Sequence, residues 1–180
     1  VEGLIVRPVA FAIAAACAAT LASTPARAGE IFGGISAHDV DTFLSISGVE
    51  DGADVQLGWR GDRIAATPLQ PYAFVSAHTE GQTHFAAAGL SAKFGDRIFI
   101  RPGVGVAIHT GSTDDFEQVG DGEIDFGSRV VFAPELGVGA RVTDRLSVEA
   151  SWVHLSHAQL FGRQNPGMDS IGVRVSLDLP

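Results

Sequence analysis

The stretch Asp169-Ser170-Ile171-Gly172-Val173-Arg174-Val175-Ser176-Leu177-Asp178-Leu179 decides the fold. Its odd positions from Ile171 onward are apolar, while the even positions carry Arg174, Ser176 and Asp178. Only a β-strand, with successive side chains on opposite faces, separates the two sets. The same parity recurs upstream. Val55, Leu57 and Trp59 oppose Asp54, Gln56 and Arg60, and Ile98, Ile100, Val104, Val106 and Ile108 oppose Arg101, Gly103 and Gly105. Working outward, the spacing predicts eight strands near residues 30–37, 53–60, 71–78, 83–94, 97–109, 128–142, 146–157 and 169–179. Gly, Asp, Asn and Pro punctuate the gaps between them. In the third and fourth strands the alternation is weak.

An eight-stranded antiparallel barrel can be built two ways. A soluble cup turns its apolar face inward, whereas an outer-membrane barrel turns it toward lipid. Arg101, Glu135, Arg141, Glu149 and Arg174 all fall on the face opposite the apolar one, together with Gly103, Gly105, Gly137 and Gly139. Mixed charges beside small residues suit a narrow, self-neutralising lumen. The expected fold is therefore all-β: an eight-stranded antiparallel outer-membrane β-barrel, with a soluble β-sandwich or lipocalin-like cup as its rival. Short connections at 94–97 and 143–145 alternate with long ones at 110–127 and after His157, as a barrel with both termini on the periplasmic side requires. Three features fit less well: the long connection Gly61 to Gln70, and Pro102 and Pro134, which are read as bulges.

Residues 1–28 read as a removable export signal. Arg7 precedes the apolar run Pro8 to Ala22, and Ala26-Arg27-Ala28 supplies the small-x-small cleavage site. Residues 29–180 are then one domain. The sole cysteine, Cys17, lies within the leader, so the mature chain has no disulfide or thiolate metal site. A formal net charge of −9 argues against a nucleic-acid partner. No apolar run after the leader reaches the roughly 20 residues of a membrane helix.

Chemistry enters where polarity appears on the lipid-facing parity. Leu146, Val148, Ala150 and Trp152 continue into His154 and Ser156, and Asp169 shares the outward parity of Ile171 and Val173. Polar groups facing hydrocarbon are costly unless they satisfy one another near the interface. Residues i and i+2 share a face about 6–7 Å apart, and adjacent strands lie about 4.8 Å apart, so Ser156, His154 and Asp169 can form a nucleophile, base and orienting-acid chain across one hairpin. Asn165, in the loop between, is a candidate oxyanion donor.

Trp152-Val153-His154-Leu155-Ser156-His157-Ala158, followed by Asn165-Pro166-Gly167-Met168-Asp169 and an alternating terminal strand, resembles the PagL-type lipid A 3-O-deacylase family. The resemblance is sharp over Trp152 to Val175. It implies an outer-membrane barrel esterase with His154 as base, Ser156 as nucleophile, Asp169 as triad acid and Asn165 at the oxyanion hole. The implied substrate and partner is lipid A, the membrane anchor of lipopolysaccharide, and no cofactor or metal is called for. The family often has Asn and then Ala-Gly after the Ser, where His157, Ala158 and Gln159 stand here, and its acid is often Glu. A homodimer is compatible with the sequence. The alternative function is a non-enzymatic OmpA- or OmpX-like barrel with a structural or adhesive role.

Remaining features receive blander readings. His157 falls on the opposite parity from Ser156 and is assigned to the lumen or a loop. His38, His78, His84 and His109 are read as interfacial or solvated, the acidic segment Asp114 to Asp125 as a solvated extracellular loop, and Trp59, Tyr72 and Trp152 as interfacial girdles. Neither a G-x-S-x-G elbow nor a phosphate-binding glycine loop appears.

Overall fold

The computed structural model describes residues 29–45, 48–114, 122–158, 160 and 166–180. Among these, the chain forms one sheet of ten strand segments: β1 (Glu30–Ala37), β2 (Ala53–Arg60), β3 (Leu69–His78), β4 (Phe85–Ala92), β5 (Phe94–Gly95), β6 (Ile98–His109), β7 (Val130–Phe132), β8 (Glu135–Arg141), β9 (Leu146–Leu155) and β10 (Met168–Asp178). The pairings between these strands are all antiparallel, and β1 pairs with both β2 and β10, which closes the sheet on itself. β4 and β5 are one stave, and so are β7 and β8, leaving the expected eight-stranded barrel, with no helix among the described residues.

Both interruptions preserve register. Ser91 lies opposite Gly103 before the first break and Phe94 opposite Ile100 after it. Val106 pairs with Phe132, and Gly103 with Glu135, across the second. Pro102 and Pro134 are thus not bulges, correcting the sequence reading. Each lacks one ladder donor while the strand runs on. The long Gly61–Gln70 connection is also resolved. Gly61 N–H reaches Pro71 O at 2.8 Å and Ile64 N–H reaches Leu69 O at 2.8 Å, so the hairpin extends beyond β2 and closes in a tight turn.

The barrel is inside-out. Ile35, Leu57, Ile98, Val104 and Val138 are exposed on the outer face, and Arg60, Arg101, Arg174, Glu30, Glu135 and Glu149 are buried within. An aqueous exterior would penalise the first set and a dry apolar interior the second, so hydrocarbon outside and a paired lumen inside is the consistent solution. Three guanidiniums meet three carboxylates. Arg60 contacts Glu30 at 2.5 Å and Glu135 at 3.2 Å. Arg101 contacts Glu30 and Glu149, both at 2.8 Å. Arg174 contacts Glu135 at 2.8 Å and donates from Nε to Gln56 at 2.8 Å. The Phe32 ring lies under both Arg60 and Arg174, 4.9 and 5.0 Å from their guanidinium carbons.

Lumenal aromatics explain why β3 and β4 alternate poorly in sequence. Tyr72, Phe74 and Phe85 point inward, so large apolar residues occupy the face that elsewhere carries charge. Tyr72 is 2% exposed and belongs to the lumen, not to an interfacial girdle.

At the end opposite the termini the connections fold back over the lumen. Glu50, between β1 and β2, accepts from Thr83 N and Oγ1 at 3.0 and 2.9 Å and from Ile124 N at 3.3 Å, drawing three connections together. Ile124 and Phe126 are buried, and the Phe126 ring lies 4.1 Å from that of His109. The segment Asp114 to Asp125 is therefore not a wholly solvated loop: its C-terminal part plugs the barrel, and residues 115–121 lie outside the described residues. His38, His78 and His109 are likewise buried in this plug and not solvated, because carboxylates and carbonyls receive their ring nitrogens.

Candidate active site

β9 and β10 form the hairpin that carries the site. Their register sets Asp169 directly opposite His154, and Leu155 opposite Met168. Ser156 lies one residue beyond β9, held by a bridge to Phe132: Phe132 N–H donates to Ser156 O at 2.8 Å and Ser156 N–H to Phe132 O at 3.1 Å. This bridge continues the β8–β9 register, so no bulge intervenes and Ser156 keeps the parity of His154. On the neighbouring stave, Pro134 O accepts the His154 N–H at 3.0 Å and has no N–H to return.

His154 Nδ1 lies 2.9 Å from Asp169 Oδ1. An ionised carboxylate can only accept, so the proton of this bond sits on Nδ1, and the lone pair is left on Nε2. The Trp152 indole N–H donates to the same Oδ1 at 2.8 Å, and the ring lies nearly parallel to the imidazole, centroids 6.0 Å apart. Trp152, read from sequence as part of a girdle, is a ligand of the carboxylate. The Thr42 hydroxyl, from the β1–β2 connection, donates to Asp169 Oδ2. His154, Trp152 and Thr42 thus donate to one carboxylate that a strand presents toward the membrane, and Ser45 of the same connection is hydrogen-bonded to it as well.

On the Nε2 side of the imidazole stands Gly167, at φ +68°. A Cβ there would meet His154 Cε1 at 3.0 Å and Nε2 at 3.6 Å. Glycine suits the left-handed backbone and leaves room at the edge of the imidazole. The chain also turns through positive φ at Ala158 (51°), two residues after Ser156.

Outward parity does not mean full exposure. His154 and Ser156 retain 8% and 7% of their accessible surface, and Asp169 retains none. The β1–β2 connection covers Asp169: Val40 N–H donates to Asp169 O at 2.8 Å, and Thr42 follows two residues later. The sequence reading placed these groups against lipid and missed this cover, because nothing in the pattern of residues 38–52 announces where that connection lies.

Among the predicted residues, Asp169 and His154 are joined, and Ser156 shares their face. The described residues show no hydrogen bond from Ser156 Oγ to His154, a contact that in hydrolases often tightens only with substrate bound. Asn165 lies outside the described residues. His157 is fully buried on the other parity, its Nε2 facing Gly127.

A second cluster lies inside the plug. His38 is held between Asp54 at 2.9 Å and Glu50 at 2.8 Å, its ring edge-on to His78. Burial disfavours its charge, but the hydrogen bonds to Asp54 and Glu50 outweigh this and raise its pKa to about 9. Glu50 responds in kind. Burial pushes its pKa up, and the bonds from His38 and Thr83 bring it below the ordinary glutamate value. His38, Asp54 and His78 offer ligand atoms within 4.8 Å of one another, the one such grouping among the described residues. These atoms are already engaged: His78 Nδ1 accepts from Glu80 and Gln82 N–H at 3.2 Å, which leaves its Nε2 to donate to Asp51 O at 2.7 Å. The cluster is a buried imidazolium clamp.

The family model described as lipid A 3-O-deacylase (PagL) matches residues 48–178. Among solved structures, the crystal structure of the outer membrane enzyme PagL is 22% identical, with a TM-score of 0.58 over 83% of this chain and 99% of that one. Neisserial surface protein A (NspA) is 12% identical, with a TM-score of 0.58 over 85% and 99%. A de novo designed transmembrane β-barrel is 9% identical, with a TM-score of 0.52 over 84% and 95%. At these identities the structural likenesses establish the fold alone. Comparison with curated proteins gave no match.

Proposed function

The chain belongs to the lipid A 3-O-deacylase (PagL) family and is an outer-membrane ester hydrolase acting on lipid A, and from that premise we propose that Ser156, His154 and Asp169 carry the reaction. The observation that supports this most is the His154 Nδ1–Asp169 Oδ1 bond on the membrane-facing side of the β9–β10 hairpin, with Ser156 two residues along the same face. Asp169 holds the tautomer that leaves Nε2 basic. As Ser156 Oγ attacks the carbonyl carbon of the 3-O-linked ester, its proton passes to Nε2, and Asp169 stabilises the imidazolium that forms.

The tetrahedral oxyanion needs donors, and Asn165 is the side chain assigned to it. Collapse breaks the ester C–O bond, and Nε2 returns the proton to the departing 3-hydroxyl of lipid A. Water, deprotonated by His154, then cleaves the acyl-Ser156 ester and releases the fatty acid. A site on the barrel's outer wall lets the substrate react without leaving the leaflet in which it is anchored. Export with removal of residues 1–28 and assembly as a homodimer complete this reading. N-terminal sequencing of the mature protein and native mass spectrometry test those two points.

Active-site labelling tests the chemistry. A fluorophosphonate should modify Ser156, as mapped by peptide mass spectrometry. His154→Ala and Asp169→Asn barrels that still show heat-modifiable gel migration should label far more slowly. Modification at another serine, or equal rates in all three proteins, would refute the assignment. A non-enzymatic barrel predicts no preferential labelling.

A further inference from the structure

The β1–β2 connection does more than shield the site. Asp39, at φ +47°, accepts from Gly48, Val49 and Glu50 N–H at 2.9, 2.9 and 3.0 Å, so the segment is internally tied at its base. One side is anchored in the plug through Glu50 and His38. The other reaches the outer wall of β10, where Val40 N–H meets Asp169 O and the Thr42 hydroxyl meets Asp169 Oδ2. Thr42 Oγ1 also accepts the Leu44 N–H at 3.0 Å. With its oxygen receiving that donor and a carboxylate able only to accept, the direction of the Thr42 proton is fixed toward Asp169.

Resting on the triad reading above, we propose that Thr42 is a positioning residue for deacylation, locking Asp169 Oδ2 so that Oδ1 stays aimed at His154 Nδ1. A short aspartate opposite His154 can rotate about its terminal torsion, which is broad and roughly two-fold. Either oxygen could then face the imidazole, or neither squarely. Trp152 and His154 both hold Oδ1, and Thr42 holds the other oxygen from 127 residues away in sequence. Thr42 lies in the chain's first connection, before residue 48, where the family match begins. Its neighbour Phe43 is 95% exposed and Leu44 is also exposed, so the lock sits on an apolar tip at the membrane side of the site.

The test compares Thr42→Val, Thr42→Ala and Thr42→Ser in purified full-length barrels of confirmed heat-modifiable migration, with lipid A as substrate. Thr42→Val keeps shape and loses the donor. Its kcat should fall roughly ten- to hundredfold, the equivalent of one hydrogen bond to a charged group, with KM changed less than about twofold. Thr42→Ala should behave the same way, and Thr42→Ser should restore kcat to within about threefold. Wild-type kcat in Thr42→Val and Thr42→Ala, a loss confined to KM, or a Thr42→Ser as defective as Thr42→Val would overturn the proposal. Asp169→Asn in the same assay separates it from its premise. Full activity there defeats the triad itself, whereas an inactive Asp169→Asn beside a fully active Thr42→Val defeats only the role of Thr42.

Discussion

Glu135→Gln should destabilise the barrel more than any isosteric change on its surface. Glu135 receives Arg60 at 3.2 Å through Oε1 and Arg174 at 2.8 Å through Oε2, and both guanidiniums are buried. Two unit charges about 4 Å apart attract by roughly 4 kcal/mol at an effective dielectric constant near 20. Glutamine keeps the shape, but it removes that attraction to both arginines and turns an amide NH2 toward a guanidinium that can only donate. The lumen then holds three cations and two anions. Arg60 keeps Glu30, and Arg174 keeps Gln56 with Glu149 at 3.8 Å, so neither is stranded. Leaving a buried charge wholly unpaired typically costs about 3–5 kcal/mol, and because both arginines keep a partner while one net positive charge remains, this loss should fall near the lower end, about 3 kcal/mol. Reversible urea unfolding in lipid vesicles, followed by the fluorescence of Trp59 and Trp152, reads the difference. Glu135→Gln combined with Arg174→Gln should recover part of the loss, because it restores lumenal neutrality. A single-variant change below about 1 kcal/mol would refute the paired-lumen account.

Gly167→Ala should place a methyl 3.0 Å from His154 Cε1 at φ +68°, costing about 1–2 kcal/mol of backbone strain and lowering kcat with little change in the folded fraction. Deacylation kinetics beside heat-modifiable migration check this, and wild-type kcat would contradict it. His38 makes stability depend on pH. Its folded pKa, about 9, exceeds the ordinary 6.5, so its contribution of about 3 kcal/mol is fully present below pH 6.5 and fades as the pH climbs toward 9. Urea midpoints from pH 6 to 10 should show the decline in wild type and a flatter profile in His38→Gln. Identical slopes would contradict the clamp.

The strand pattern was legible because a barrel wall has two unlike surroundings and a period of two, so residues 30–37 and 53–60 could be bounded from the chain alone. Parity also carried part of the candidate site: counting back from Ile171 and on from Trp152 puts Asp169 and His154 on the outward face, whereas the register that sets them opposite one another is visible only in the folded hairpin. Alternation failed where the lumen holds Tyr72, Phe74 and Phe85, since an inward aromatic looks like an outward one. Pro102 and Pro134 suggested bulges because a missing donor is visible in sequence, whereas an undisturbed register is not. Thr42, the buried carboxylates around His38 and the plug at Ile124 and Phe126 could not be found, because they depend on how irregular connections pack and no periodicity reports that. The same holds for the turn in which the Asp39 carboxylate gathers the N–H groups of Gly48, Val49 and Glu50.

The most direct measurement is mass spectrometry of lipid A from cells expressing the wild-type chain or Ser156→Ala at equal outer-membrane levels. Wild-type cells should yield lipid A lighter by one 3-O-linked acyl chain, and Ser156→Ala cells lipid A of unaltered mass. The same acyl loss with Ser156→Ala, or none in either strain while both barrels are inserted, would contradict the account.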